Sequence, residues 1–334
     1  MRFQNIRRNW KLLLAIAVFS FLDSLLGFQN GLNETVKTAS HISFGLFVAW
    51  AFYKMSLRLR IALAMSSGRT KEALKLCQQE IANCPDDTDL KITAAGLSVR
   101  LSKPAEAIQL ADAALLLDPQ CTRAFLSRSI ARAQMNMFDE ALEDCNSGIE
   151  SCSRSKAMRA HMLWARASVY VQKGEYQKSI DDCNSALDLD SKCLIALLGR
   201  SSAYCFSKQY SAAMNDLEAA AKLSSAKNIE AIILCKRARV NLCLGKLDLA
   251  LEEAATAAKM VPDLPAFPST LGLVLTRKQS FEKALAVLNQ AIEIDPLYAE
   301  AYWFRHELFK ATGQMDKAES DKETALRYQY KPYL

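Results

Sequence analysis

The stretch AHMLWARASVYVQKGEYQKSIDDCNSALDLD, residues 160–190, decides the fold because its pattern recurs along most of the chain. Small residues return at steps of 34 to 38 residues, at Ala73, Ala107, Ala141, Ser179, Ala213, Ala250, Ala284 and Ala318. A steady period of this length is typical of repeat proteins. The sequence therefore predicts eight copies of one unit, with starts near residues 54, 88, 122, 160, 194, 231, 265 and 299.

Turn-forming residues divide each unit into two helices. The fifteenth position favours residues that tolerate a tight turn: Gly68, Asn136, Gly174, Gly245 and Gly313. Position 32 carries proline, which a helix does not continue through, in four copies: Pro85, Pro119, Pro262 and Pro296. Each unit is therefore predicted to be a helix, a tight turn, a second helix and a stop.

Residue size predicts how the two helices pack. Small residues recur at positions eight, twenty and twenty-seven, and bulky residues stand at position seventeen: Phe138, Tyr176, Tyr210, Leu247, Phe281 and Met315. Antiparallel helices approach closely only where side chains are small, and larger neighbours fill the adjacent space. The small positions are therefore predicted to mark the helix crossings.

In these positions the chain resembles the tetratricopeptide repeat (TPR) family. The clearest copies begin at Ala160 and at Ala299, and the likeness extends over about five-sixths of the chain. The resemblance implies an all-α fold, a right-handed superhelical solenoid of about eight helix-turn-helix units over residues 54–334. It also implies a groove lined by the first helices, and a role as scaffold, co-chaperone or assembly factor.

Charged residues vary together at two positions of the unit. Position seven is arginine in six copies, and in five of them position twenty-three is acidic; in the two copies without arginine it is apolar. Because the two helices run antiparallel, these positions should face each other. We predict five structural ion pairs within single copies: Arg128 with Asp144, Arg166 with Asp182, Arg200 with Asp216, Arg237 with Glu253, and Arg305 with Asp321.

Apolar residues at positions two, five, nine and twelve of the first helices predict a partner groove. Helical spacing places these positions on one face, away from the crossings. The residues that we predict to line the groove are Leu126, Ile130, Trp164, Val171, Ile195, Leu198, Ile232 and Leu242. An apolar peptide or helix is the predicted partner. The alternative is that stacked helices or the amino-terminal segment cover these residues and make them core.

The chaperone-tail clamp of some family members is not recognisable here. That clamp requires asparagine at position six of one copy, and no copy has it: the residues are Leu59, Thr93, Ser127, Ala165, Gly199, Lys236, Thr270 and Phe304. The resemblance therefore does not extend to that ligand.

Residues 1–53 differ from the repeats and contain two apolar runs, Leu12 to Phe28 and Ile42 to Tyr53. Basic residues flank the pair, whereas the connection has only Glu34 and Lys37. Because positive residues stay in the cytoplasm, we predict a two-helix membrane hairpin, about 11–28 and 40–57, with the repeats in the cytosol. A single span or interfacial anchor, a signal peptide and a soluble cap are the alternatives.

Catalytic and nucleic-acid-binding classes lack support in the sequence. The glycines are too dispersed for a phosphate-binding loop, and no His-Glu-x-x-His motif occurs. The ten cysteines form no Cys-x-x-Cys pair, so neither a metal nor another cofactor is predicted. Beyond residue 60 the chain has 34 basic and 34 acidic residues, which argues against a nucleic-acid partner.

The predicted function is a membrane-anchored, cytosol-facing TPR scaffold that mediates protein–protein interactions, for example during assembly of a membrane complex. An exported or soluble TPR binding protein or co-chaperone is the main alternative, and an enzyme is a distant third.

Overall fold

The computed structural model describes residues 57–152, 155–328 and 330. The chain divides into two compact units, residues 1–80 and 81–334. The predicted membrane hairpin lies outside the described residues. Within the described ranges, no helix is both long and apolar enough to cross a membrane. Every regular element in these ranges is a helix, so the all-α expectation holds for them.

Sixteen helices are described, and odd numbers denote the first helix of a copy. They are α1 (57–66), α2 (Thr70–Asn83), α3 (Thr88–Arg100), α4 (Pro104–Leu117), α5 (Thr122–Gln134), α6 (Phe138–Ser151), α7 (Lys156–Lys173), α8 (Tyr176–Leu189), α9 (Leu194–Phe206), α10 (Tyr210–Leu223), α11 (Lys227–Cys243), α12 (Leu247–Met260), α13 (Ala266–Arg277), α14 (Phe281–Ile294), α15 (Ala299–Ala311) and α16 (Met315–Arg327). Helices α7 and α11 begin one turn before the predicted starts at 160 and 231.

In the second unit, each first helix packs against its own second helix, and from α5 onward each also packs against the second helix of the preceding copy. First helices of consecutive copies, from α3 to α15, also contact one another and form a continuous face. Of these neighbours, α9 and α11 approach least closely. A gap therefore separates α9 from α11.

The turn between the two helices has the same backbone conformation in all eight copies. Position fifteen has a positive φ in each of them, including Ser102 (54°), Lys208 (62°) and Gln279 (58°). Glycine, and to a lesser degree asparagine, adopts this left-handed region at little cost. Sequence reasoning found the five Gly or Asn turns and missed these three, because their residue types do not favour the conformation.

The helix crossings are buried and tightly packed. The position-twenty residues predicted to mark them are buried in every copy, with Ala107, Ala213 and Ala284 at 0% exposure. Side-chain volume is also matched between positions eight and twenty-four of one copy. At Gly272, an added Cβ would lie 2.5 Å from Cγ of Leu288, whereas the equivalent residues in the sixth copy, Ala238 and Ala254, share the space more evenly.

Candidate functional site: the first-helix groove

Arginines at position seven bind acids of their own copy with the two-point geometry of a guanidinium and a carboxylate. Arg166 donates to Asp182 from Nε at 2.8 Å and from Nη2 at 2.7 Å, and Arg200 donates to Asp216 at 2.9 and 2.7 Å. The same contacts join Arg128 with Asp144 and Arg305 with Asp321. Hydrogen bonding to the acid raises the pKa of Arg166 and of Arg200.

The fifth predicted pair has a different geometry. Arg237 contacts Glu253 from Nη2 to Oε1 at 2.8 Å, and the other oxygen of Glu253 accepts a hydrogen bond from Asn241 at 2.8 Å. The Nε of Arg237 is buried and has no hydrogen-bond partner in the described part of the chain. With glutamate in place of aspartate, the two carboxylate oxygens are therefore divided between Arg237 and Asn241, and the two-point contact with the arginine is lost.

Sequence reasoning missed the second partner of these arginines. In four copies, Nη1 donates to position twenty-five of the preceding copy: Arg128 to Asp112 (2.5 Å), Arg166 to Asn146 (2.7 Å), Arg200 to Asn184 (2.6 Å) and Arg305 to Asn289 (2.7 Å). Each such arginine therefore joins two consecutive copies, and we call this arrangement an arginine fork. The recurrence of Asp or Asn at position twenty-five was the signal that could have revealed it.

All eight residues predicted to line the partner groove are half-buried rather than exposed. Trp164 packs on the next copy, because a Cβ added to Gly199 would lie 2.9 Å from its Cδ1. Leu198 and Ile232 also pack against clusters of buried apolar residues. The structure does not gather the eight into one pocket.

A pocket of 370 Å³ opens between α9, α11 and α13 and reaches the start of α15. Its wall is mostly apolar, with Ile232, Leu264 and Phe267 among the lining residues. Lys236 and Arg239 bring two cationic groups into this wall. We call it the Lys236 pocket; its volume falls within the range of ligand-binding pockets.

Arg239 is neutralised by an acid from two copies further along. Its Nη2 lies 2.6 Å from Oε2 of Glu300, which also accepts a hydrogen bond from the Tyr298 hydroxyl at 2.7 Å. Arg239 donates as well to Oγ1 of Thr270, at 3.1 and 3.2 Å. Burial opposes the charge of Glu300, but the attraction of Arg239 outweighs it and lowers the pKa of this carboxyl.

Lys236 has no such compensation. Its Nζ donates to Oγ of Ser202 on α9, and no carboxylate of the described residues lies within 4.0 Å of it. Burial, and then repulsion by Arg239, lower the pKa of Lys236. The pocket therefore has one more positive than negative group when Lys236 is protonated. A bound anion would neutralise this excess positive charge.

No group of three or more His, Cys, Asp or Glu side chains in the described ranges is arranged to hold a metal ion.

Comparison with protein families identifies the repeat in two places. A tetratricopeptide repeat model matches residues 160–193, which coincide with the fourth predicted copy, and a TPR repeat model matches residues 272–313. The prediction that the chain contains tetratricopeptide repeats is therefore confirmed. No curated protein matches the chain in a sequence comparison.

Solved structures with the same fold are distant in sequence. The chain is similar to a chain of the APC/C hetero-tetramer Cut9–Hcn1, with 13% identity and a TM-score of 0.60 over 81% of this chain and 52% of that one. It spans about half the length of that relative. A tetratricopeptide repeat protein from Parabacteroides merdae ATCC 43184 shows 17% identity and a TM-score of 0.53, over 73% of this chain and 93% of that one.

A third solved structure extends the same comparison. A monomeric mutant of IFIT1 with Gppp-AAAA shows 14% identity and a TM-score of 0.57, over 77% of this chain and 67% of that one. At these identities, the likeness establishes the fold alone.

Proposed function

We propose that this chain, which carries tetratricopeptide repeats, is a scaffold that binds partner proteins along its first helices, with the Lys236 pocket receiving an acidic side chain flanked by apolar residues. The observation that carries the proposal is the position of Lys236, a half-buried cation without a carboxylate partner in the described part of the chain, in an otherwise apolar wall.

The positive charge of Lys236 indicates that the ligand of the pocket carries a negative charge. A partly desolvated ammonium group is costly unless an anion pairs with it, and a partner carboxylate would remove that cost. Glu300 does not pair with Lys236, because its Oε2 accepts from Arg239 and from Tyr298 and neither of its carboxylate oxygens lies within 4.0 Å of the Lys236 nitrogen. The acid of a partner is therefore expected to pair with Lys236.

Apolar residues of the partner would bury against the rest of the pocket. Ile232, Leu264 and Phe267 offer aliphatic and aromatic surface beside the ammonium group. Leu264 is 49% exposed, so part of this surface is open to a ligand. Apolar burial supplies affinity, while the single charged contact fixes the register of the bound segment.

The pocket is tested with a library of nonapeptides in which a central glutamate is flanked by randomised apolar residues. We expect selected peptides to lose about tenfold or more in affinity when Lys236→Met is introduced, because hydrogen bonds to charged groups contribute about 1.5–3 kcal/mol. Replacing the central glutamate by glutamine should cause a similar loss in the unmodified protein. Fluorescence anisotropy measures both.

Lys222→Met is the matched control, because Lys222 is exposed on the second helix α10 and should leave affinity unchanged. A library from which no peptide binds, or glutamine peptides that bind as tightly as glutamate peptides, would remove the support for this proposal.

We also propose that residues 1–53 anchor the scaffold in a membrane, with the repeats in the cytosol. The support is the pattern of two apolar runs with basic flanks. On this proposal, the groove would hold partners close to a membrane surface. The exported and soluble alternatives differ in where the repeats lie, so topology discriminates between them.

A membrane-impermeant maleimide tests the anchor in intact cells. Cysteine introduced at Asn33, in the connection between the apolar runs, is expected to be labelled without permeabilisation. Cysteine introduced at the exposed Lys222 should be labelled only after permeabilisation. Labelling of the second site in intact cells, or recovery of the full chain without detergent, contradicts the hairpin.

A further inference from the structure

A second pocket, of 510 Å³, lies at the opposite end of the gap between α9 and α11. Two cysteines from neighbouring copies line it, Cys205 near the end of α9 and Cys243 at the end of α11. Tyr210 and Arg277 are part of the same wall. Cys205 also lines the Lys236 pocket, so this residue belongs to both cavities.

The two thiols line the same pocket and differ in character. Cys205 and Tyr210, from the same wall, both favour the ionised form of Cys243. The hydrogen bond from Cys205 lowers the pKa of Cys243, although burial acts in the opposite direction, and Arg277 and Arg239 add to the lowering. The same hydrogen bond raises the pKa of Cys205. Of the pair, Cys243 therefore has the greater thiolate character.

Other cysteines in the core have the opposite properties. Burial raises the pKa of Cys77 to about 11 and that of Cys145 and Cys183 to about 12. These thiols are buried, whereas Cys205 and Cys243 are half-buried beside a pocket. Reactive cysteines are those that combine thiolate character with access, so Cys243 is expected to be more reactive than these three buried thiols.

We propose that Cys243 and Cys205 are a modification site, at which a hydroperoxide converts the two thiols into a reversible disulfide that links the fifth and sixth copies. The Cys243 thiolate attacks the terminal peroxide oxygen; an S–O bond forms and the O–O bond breaks. The leaving alkoxide, or hydroxide from hydrogen peroxide, takes a proton from water, and Cys243 becomes a sulfenic acid.

Cys205 completes the reaction. Its sulfur attacks the Cys243 sulfur, an S–S bond forms and the S–O bond breaks. The hydroxyl group leaves with the Cys205 proton as water. The two thiols together lose two electrons, which the peroxide gains. A dithiol reductant reverses the change by thiol–disulfide exchange.

The location gives the bond a structural consequence. First helices α9 and α11 are the neighbours that approach least closely, and both pockets occupy the space between them. A covalent link at Cys205 would fix the distance between these helices at the shared wall. Oxidation would therefore restrict the opening of both cavities.

The test treats the full chain with hydrogen peroxide, blocks the remaining thiols with N-ethylmaleimide, and analyses a non-reducing digest by mass spectrometry. We expect one predominant cross-linked pair, Cys205 with Cys243, that dithiothreitol removes. In Cys205→Ser, dimedone should trap a sulfenic acid at Cys243. In Tyr210→Phe, the same disulfide should form severalfold more slowly, because one donor to the thiolate is lost.

Cys121→Ser is the matched control, because Cys121 is half-buried but lies in neither pocket, and it should change nothing. Absence of the cross-link in the unmodified chain, or dimedone labelling spread equally over several cysteines, would overturn the proposal. Because the decisive measurement uses the unmodified chain, poor folding of a variant does not affect it.

Discussion

Replacing Asp144 by alanine is expected to lower the free energy of unfolding by about 3–5 kcal/mol, the range for removal of one partner from a buried ion pair. Its side chain is 3% exposed and binds two arginines, Arg128 at 2.6 Å and Arg132 at 2.9 Å. Without the acid, two guanidinium groups would share a site whose one remaining ion-pair partner among the described residues is Asp112, which is half-exposed and contacts only Arg128. Chemical denaturation followed by circular dichroism measures the loss.

Asp112→Ala provides the matched control for the same fork. Asp112 binds the same Arg128 at 2.5 Å, but its side chain is 47% exposed, so water replaces the lost contact and the cost should stay below about 1 kcal/mol. Replacing Arg128 and Asp144 together by apolar residues should cost less than Asp144→Ala alone. Equal losses for Asp112→Ala and Asp144→Ala would show that burial does not decide the energetics of the fork.

The Gly272 and Leu288 pair should show strong coupling in a double-mutant cycle. Leu288→Ala is expected to cost about 2–5 kcal/mol, toward the upper end, because the glycine opposite cannot fill the cavity. Gly272→Ala is expected to cost about 1–3 kcal/mol, because its Cβ would lie 2.5 Å from Cγ of the buried Leu288. The double variant restores an Ala–Ala pair, as at Ala238 and Ala254, and should cost less than the sum.

Urea denaturation of the four proteins gives the coupling energy. Gly96→Ala is the control for helix propensity alone, because a Cβ at this helical glycine meets nothing within 4 Å. That change should stabilise the protein by up to about 1 kcal/mol. If Gly272→Ala stabilises the protein as much as Gly96→Ala does, then the contact with Leu288 relaxes freely and the volume argument is wrong.

The fold was predictable because its determinants recur in phase. Period, turn residues and terminal prolines gave the helix pairs, and the covariation of positions seven and twenty-three gave contacts that the structure places at 2.6–2.8 Å between nitrogen and oxygen. The positive φ at Ser102, Lys208 and Gln279 could not be predicted from the residue types at these positions. There the packing of the two helices imposes a backbone conformation that the residue itself disfavours.

The Lys236 pocket could not be predicted in the same way. Comparison of copies emphasises what the copies share, whereas Lys236 is the only charged residue at position six. Its surroundings depend on stacking, which brings Glu300 to Arg239 from 61 residues away. Periodicity likewise places Trp164 on the groove side of its helix, but it cannot show that the indole packs on Gly199 of the following copy.

The arginine forks bear on how a chain of this kind can change in length. Each fork takes one acceptor from its own copy and one from the copy before. A whole copy can therefore be removed or duplicated without depriving an arginine of its hydrogen-bond acceptors. Loss of residues 160–193, for instance, would present Asn146 to Arg200 in place of Asn184, one asparagine for another. The seventh copy, with Leu271 at position seven, has no arginine to offer. Unequal recombination within the gene would therefore preserve the contacts between copies in the middle of the array more readily than near its end.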